Sequence, residues 1–127
     1  MIDHVYISVS DPERSLAFYS AALAPLGYVP FFNYDSATGP ASVPDLWGLA
    51  NGPSTIWLRQ RQPGETGLYL GLVAADHAAV DATYDAALAA GGTDDGKPAI
   101  RAYFADGYYA ANIIDLDDNR LEIVNKS

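Results

Sequence analysis

An internal repeat constrains the fold of this 127-residue chain more than any other feature of its sequence. When the chain is aligned with itself at an offset of 65 residues, residues 4–27 match residues 69–92 without a gap and with eight identities. Some of the identities pair residues other than alanine; Tyr19, for example, matches Tyr84. Self-similarity at a fixed spacing is typical of one supersecondary unit present twice, so the two halves are predicted to share a fold.

The first copy has the pattern of a strand, a helix and three further strands. Val5, Ile7 and Val9 alternate with small or polar residues, which is typical of a half-buried strand. Asp11 is a predicted helix N-cap and Pro12 stands at the favoured first helical position. Three short strands are then predicted over residues 28–34, 42–49 and 54–60.

The second copy follows the same order after a break rich in glycine and proline. A strand is predicted over residues 68–74, and a helix from about residue 77 to residue 90 is closed by Gly91 and Gly92. The remaining strands are predicted over residues 99–104, 108–114 and 120–125.

This order predicts an α+β protein of two βαβββ modules. The length suits one domain, residues 1–127, with a first module of about 1–62 and a second of about 67–127. In such a module the helix covers one sheet face and leaves the other bare. We therefore expect the two modules to form a curved mixed sheet around a shared cleft.

Composition limits the classes of partner. Sixteen acidic and seven basic residues give a net charge of -9, which argues against nucleic acid, whose phosphates are bound by Lys and Arg. A cationic or neutral small molecule is easier to accommodate. The chain has no cysteine and no apolar run as long as a membrane span. We expect a cytoplasmic protein that binds neither nucleic acid nor membranes.

Short motifs along the whole chain resemble the vicinal oxygen chelate superfamily, which includes glyoxalase I, bleomycin-resistance proteins and extradiol dioxygenases. The resemblance rests on the order and spacing of these motifs together with the repeat. The motifs are Ile2-Asp3-His4-Val5, Asp11-Pro12-Glu13-Arg14-Ser15-Leu16-Ala17-Phe18-Tyr19, Ala86-Ala87-Leu88-Ala89-Ala90-Gly91-Gly92, Gly107-Tyr108-Tyr109-Ala110-Ala111 and Asp115-Leu116-Asp117-Asp118-Asn119-Arg120-Leu121-Glu122.

The resemblance implies a metal site on the first and last strands of each module. The matching positions are His4 and Tyr69 on the opening strands, and Trp57 and Glu122 on the closing strands. His4 and Glu122 could bind Zn, Fe, Mn or Ni, whereas Trp57 cannot coordinate a metal and a tyrosine binds one only as phenolate. Two ligands are fewer than the usual three, so the site is predicted to be incomplete, with either no cofactor or one divalent metal.

Other residues are predicted to line the cleft and to bind a ligand. Strand alternation places Tyr6 on the same side as His4. Asn112 interrupts an apolar strand, which indicates that its side faces a polar space. Arg101 lies in a G-x-P...R...Y segment that resembles one glyoxalase-like subgroup, where it would bind a carboxylate, although a surface salt bridge is the simpler interpretation. The complete ligand-binding set is Tyr6, Trp57, Tyr69, Arg101, Tyr108 and Asn112.

Two functions remain open on these residues. The first is a glyoxalase-like and bleomycin-resistance-like protein that binds a small organic molecule, planar or cationic, without a metal. The alternative is a metal-dependent lyase, isomerase or dioxygenase that uses His4 and Glu122 as ligands or as acid and base. Glyoxalase I activity itself is not expected. The resemblance also implies a homodimer.

Overall fold

A computed structural model describes residues 2–127, so Met1, where the predicted first module begins, lies outside the described residues. Two α-helices and eight β-strands follow in the order βαβββ twice, which confirms the predicted fold class. The first half comprises β1 (His4–Val9), α1 (Pro12–Ala22), β2 (Val29–Tyr34), β3 (Leu46–Asn51) and β4 (Ser54–Gln60). The second half comprises β5 (Tyr69–Val73), α2 (His77–Ala89), β6 (Thr93–Ile100), β7 (Tyr109–Ile114) and β8 (Arg120–Asn125).

Each half forms its own four-stranded mixed sheet. The strand order is β1-β4-β3-β2 in the first sheet and β5-β8-β7-β6 in the second. The opening strand of each sheet pairs in parallel with the closing strand, and the other pairings are antiparallel.

The offset of 65 residues holds in the register of the strands. His4 lies opposite Thr55 in the first sheet, and Tyr69 lies opposite Arg120 in the second. The two helices also begin in the same way, because Asp11 and Asp76 each accept a hydrogen bond from the backbone N–H three residues later. The repeat is therefore present in the structure as well as in the sequence.

The helices cover one face of each sheet and leave the other face open. On β1, Ile7 and Val9 are fully buried in the core, whereas His4 and Tyr6 on the opposite side are exposed. We call the face of each sheet that lies opposite its helix the open face. The buried residues of both halves belong to one hydrophobic core, in which α1 packs against α2.

Hydrogen bonds join the two halves where β1 ends and β8 begins. The buried phenol of Tyr19 on α1 donates to Asp115 at 2.6 Å. Arg61, which follows β4, donates to the backbone oxygens of Ser8 and Asp117 at 2.9 and 3.0 Å, and Asn119 donates to the Ser8 oxygen at 3.2 Å. These bonds fix the relative position of the two sheets at one end of their shared seam.

Two strands differ from the sequence-based prediction. The strand predicted over residues 42–49 begins only at Leu46, because prolines at 40 and 44 keep the preceding segment in turns. The strand predicted over 99–104 instead spans Thr93–Ile100, and residues 101–104 belong to a loop. This sheet-edge strand contains bulges and Pro98, both of which are tolerated at an edge. Within residues 2–127, α1 and α2 are too short to cross a membrane.

Candidate functional site

The residues predicted to form one cleft lie on the open faces of both sheets. His4, Tyr6 and Trp57 lie on the first sheet, and Tyr69 and Glu122 lie on the second. Across the paired strands Tyr6 stands opposite Trp57, and Gly71 stands opposite Glu122. The two open faces therefore present equivalent positions with different chemistry.

The open face of the first sheet is aromatic. The Trp57 ring lies 5.3 Å from that of Phe31 and 6.4 Å from that of Phe32, measured between ring centroids. Both phenylalanines are about half exposed. The rings close over Gly48 on β3, where a Cβ atom would lie only 2.6 Å from Phe31 and Trp57. This surface suits a planar, apolar group.

The open face of the second sheet carries a connected network of hydrogen bonds. Arg101 donates to the side-chain oxygen of Asn112, and the Asn112 amide donates to the Tyr69 hydroxyl at 2.7 Å. Tyr69 in turn donates to Oε2 of Glu122 at 3.0 Å, and Tyr108 donates to Oε1. Both carboxylate oxygens of Glu122 are thus held by phenols.

The phenols of this network are poor acids. The hydrogen bond to Glu122 is the main reason that the pKa of Tyr108 is raised to about 12, with burial as a second cause. Burial raises the pKa of Tyr69, and the hydrogen bond to Glu122 raises it further, while the Asn112 hydrogen bond opposes this. Both side chains are therefore neutral hydrogen-bond donors near neutral pH.

His4 is not part of this network. Its Nδ1 atom lies 2.7 Å from a carboxylate oxygen of the neighbouring Asp3. His4 lines a cavity of about 520 Å³ between β1 and β5, whereas Glu122 lines a cavity of about 740 Å³ on the second open face. The pairing of His4 with Glu122 as acid and base is therefore not seen among the hydrogen bonds of the described residues.

The donor atoms do not suit a metal of the kind that the family resemblance implies. Among residues 2–127, no group of three or more His, Asp or Glu side chains is arranged to hold a metal ion. The Tyr69 hydroxyl donates a hydrogen bond to Glu122, so it is a neutral phenol in this structure. Trp57 packs against Phe31 and offers no lone pair. His4 and Glu122 remain the two candidate ligands, and two protein ligands are fewer than catalytic metals take.

The sequence-based prediction brought together five residues that do lie in one network. These are Tyr69, Arg101, Tyr108, Asn112 and Glu122. It missed Phe31 and Phe32, which carry most of the aromatic surface beside Trp57. Gly48, a glycine inside a strand, was the signal that another group approaches the backbone closely.

Comparisons with known proteins agree on one family. Residues 1–123 match the model of the glyoxalase/bleomycin resistance protein/dioxygenase superfamily. No curated protein matches the chain.

Solved structures with the same fold cover nearly the whole chain. A glyoxalase/bleomycin resistance protein from Albidiferax ferrireducens T118 is 26% identical, with a TM-score of 0.81 over 100% of this chain and 99% of that chain. A glyoxylase/bleomycin resistance protein/dioxygenase domain from Frankia sp. EAN1pec is 17% identical, with a TM-score of 0.76 over 100% and 98%. A family enzyme from Burkholderia phytofirmans PsJN is 22% identical, with a TM-score of 0.72 over 98% of each chain. The chain belongs to the glyoxalase/bleomycin resistance protein/dioxygenase superfamily, which is the vicinal oxygen chelate superfamily that its motifs resemble.

Proposed function

We propose that this protein binds a small, planar, positively charged organic molecule on its open faces without a metal. The observation that carries the proposal is the Glu122 carboxylate, which two phenols hold in place beside a cavity of about 740 Å³. A cavity of this size suits a drug-sized ligand. A carboxylate oxygen has two lone pairs, so Glu122 can accept a ligand's N–H groups while it still accepts from Tyr69 and Tyr108.

Charge and aromatic surface support the same class of ligand. The net charge of -9 attracts cations and repels anions. Trp57, Phe31 and Phe32 offer ring faces on which a planar cation can stack. Two cations lie close to this site. Arg101 is bonded to Asn112, and Lys126 lies over the Tyr108 ring, 5.7 Å from its centroid; neither is hydrogen-bonded to Glu122 in the described part of the chain.

The binding test compares benzamidine and benzoate, which are planar molecules of similar shape and opposite charge. We expect benzamidine to bind in metal-free buffer and benzoate not to bind, because Glu122 is a carboxylate. Isothermal titration calorimetry gives the two affinities.

A matched pair of variants tests the role of Glu122. We expect Glu122→Gln to weaken benzamidine binding about tenfold or more, because a charge-assisted hydrogen bond contributes on the order of 1.5–3 kcal/mol. Glu13→Gln removes the same charge from an exposed position on α1 and should have no such effect. Equal loss in both variants, or a preference for benzoate, would overturn the proposal.

The metal-dependent alternative is tested in the same titration. A lyase, isomerase or dioxygenase that uses His4 and Glu122 requires that Zn, Fe, Mn or Ni bind stoichiometrically and that His4→Ala abolish this binding. We expect neither, as measured by calorimetry with each metal ion. Benzamidine binding that requires added metal would favour the enzyme.

We also propose that two copies of the chain pair, as the family resemblance implies. The exposed side chains of Tyr103 and Phe104 on the loop after β6 support this, since patches of such residues often mark interfaces. Sedimentation equilibrium should give twice the chain mass of 13.5 kDa. A single-chain mass at all concentrations would contradict the pairing. A cytoplasmic location also stays a prediction, which the lack of cysteine supports.

A further inference from the structure

Two cavities meet along β5. The cavity beside Glu122 extends over the second open face, and the cavity beside His4 occupies the seam between β1 and β5. Gly71 and Val73 line both of them. Only one strand therefore separates the two spaces, and both open to the same exposed stretch of that strand.

The two cavities differ in chemistry. The first cavity has polar and charged groups from Tyr108, Glu122, Asn125, Lys126 and Ser127. Six of the twelve residues that line the seam cavity are apolar, and Gly71 has no side chain. Its polar residues are His4, Tyr28, Asn51, Ser54 and Thr55, and the hydroxyls of Tyr28 and Ser54 are bonded to each other at 2.9 Å. The apolar side chains of the seam cavity are Ile2, Val5, Ile56, Leu70, Leu72 and Val73.

Gly71 leaves the border between the cavities without a side chain. Tyr6 occupies the equivalent position of the first module, 65 residues earlier, and it stands opposite Trp57 as Gly71 stands opposite Glu122. A Cβ atom built at Gly71 would meet no atom of the described residues within 4 Å. The space over Gly71 is therefore open, and the first module demonstrates that the fold accepts a large side chain there.

We propose that the two cavities form one bipartite site joined over Gly71. The ligand is amphipathic, with a cationic head at Glu122 and an apolar body that crosses Gly71 into the seam. Gly71 is thus a specificity-determining residue, because a side chain larger than a methyl group would separate the head from the body. This proposal rests on the proposed function, since it assigns the second half of the same ligand.

The test compares two probes that share a head. Benzamidine has the head alone, and 4-butylbenzamidine adds an apolar tail of four carbons. Burial of each methylene contributes about 0.8 kcal/mol, so even a half-buried tail should tighten binding about tenfold or more in the wild type. Isothermal calorimetry measures both affinities.

A graded series at Gly71 then locates the tail. Gly71→Ala should keep the tail's advantage, and Gly71→Val and Gly71→Leu should reduce it to about twofold or less. The affinity of benzamidine alone is measured on each of the four proteins, and the tail's advantage is the ratio of the two affinities within one protein. Thermal unfolding should show no loss of stability, because glycine is unfavourable inside a strand. The valine variant serves as the second blocking residue should the leucine variant fold poorly.

The outcomes separate this inference from the proposed function. If 4-butylbenzamidine binds no tighter than benzamidine, or keeps its advantage in folded Gly71→Leu, the bipartite site is wrong and the cation site stands. If neither probe binds the wild type, the cation site is wrong and the bipartite site fails with it. The inference is supported only if 4-butylbenzamidine binds the wild type more tightly than benzamidine does and loses that advantage in Gly71→Val and Gly71→Leu.

Discussion

Glu122 stands at a position where the family resemblance implies a metal ligand, and in this structure it accepts hydrogen bonds from two phenols. In the first module the equivalent residue is Trp57, whose ring packs against those of Phe31 and Phe32. The pair of equivalent positions has therefore diverged into one aromatic and one acidic group. A carboxylate that is held by Tyr69 and Tyr108 is oriented before any ligand arrives, which lowers the entropy lost on binding.

The titration of Tyr108 is the first prediction at the scale of single residues. Its pKa of about 12 lies above the unfolded value of about 10, so the folded state favours the protonated phenol. The resulting stabilisation is present below pH ~10 and is lost as pH rises towards ~12. In Glu122→Gln the pKa of Tyr108 should fall towards ~10.

Tyrosine ring carbons in NMR spectra, assigned with Tyr108→Phe, measure this pKa directly. Alkaline unfolding provides the second readout, because the stability of the wild type should fall more steeply between pH ~10 and ~12 than that of Glu122→Gln. A Tyr108 pKa that is unchanged in Glu122→Gln would contradict the hydrogen bond.

At the scale of elements, strands and helices with a regular hydrophobic pattern were predictable, and the polar strand β6 was not. Alternation gave β1, and the Asp-capped helices followed from their capping residues and apolar spacing. The polar segment Thr93-Asp94-Asp95-Gly96 instead resembles a loop, yet it pairs with β7 as an edge strand. This segment has no alternation of apolar and polar residues, so only its pairing with β7 makes it a strand.

In the candidate site, too, features set by local geometry were predictable, and features set by strand pairing were not. Parity along one strand predicted that His4 and Tyr6 share the open face, because it depends on local geometry alone. Phe31 and Phe32 both approach Trp57 only because the register of β2 shifts between Pro30 and Phe32. Such a bulge depends on the neighbouring strand, so the sequence of β2 alone does not indicate it.

The turn between β7 and β8 carries the second prediction. Asp115 is buried and accepts backbone N–H groups of Asp117 and Asn119, both at 2.8 Å. It also accepts the buried Tyr19 hydroxyl of the first module at 2.6 Å. Asp115→Ala leaves these donors unpaired, and we expect it to reduce the free energy of unfolding by roughly 3 kcal/mol.

Denaturant unfolding measures this loss. Asp106→Ala, an exposed aspartate on the loop before β7, should change the stability by less than about 0.5 kcal/mol. Tyr19→Phe should cost less in the Asp115→Ala background than in the wild type, since the two residues share one hydrogen bond. Strict additivity of the two changes would show that this contact contributes nothing.

At the scale of the whole molecule, the two modules have separate sheets and one core. Phe18 of the first module lies 3.1 Å from the Cβ position of Gly92 in the second, and α1 packs on α2. The buried side chains of both modules belong to one contiguous cluster. Neither helix can leave its neighbour without exposing apolar surface, so the modules should not be separately stable.

We therefore predict that a mutation that destabilises one module also unfolds the other, and that the tryptophans of the first module detect this. Both tryptophans, Trp47 and Trp57, lie in the first module, whereas Ile123 is fully buried in the second. Ile123→Ala should destabilise the chain by about 2–5 kcal/mol. It should lower the denaturant midpoint seen by tryptophan fluorescence as much as that seen by far-ultraviolet circular dichroism.

Ile100→Ala, at an exposed position, should shift neither midpoint appreciably. A fluorescence midpoint that stays at the wild-type value while the dichroism midpoint falls would show that the modules unfold independently.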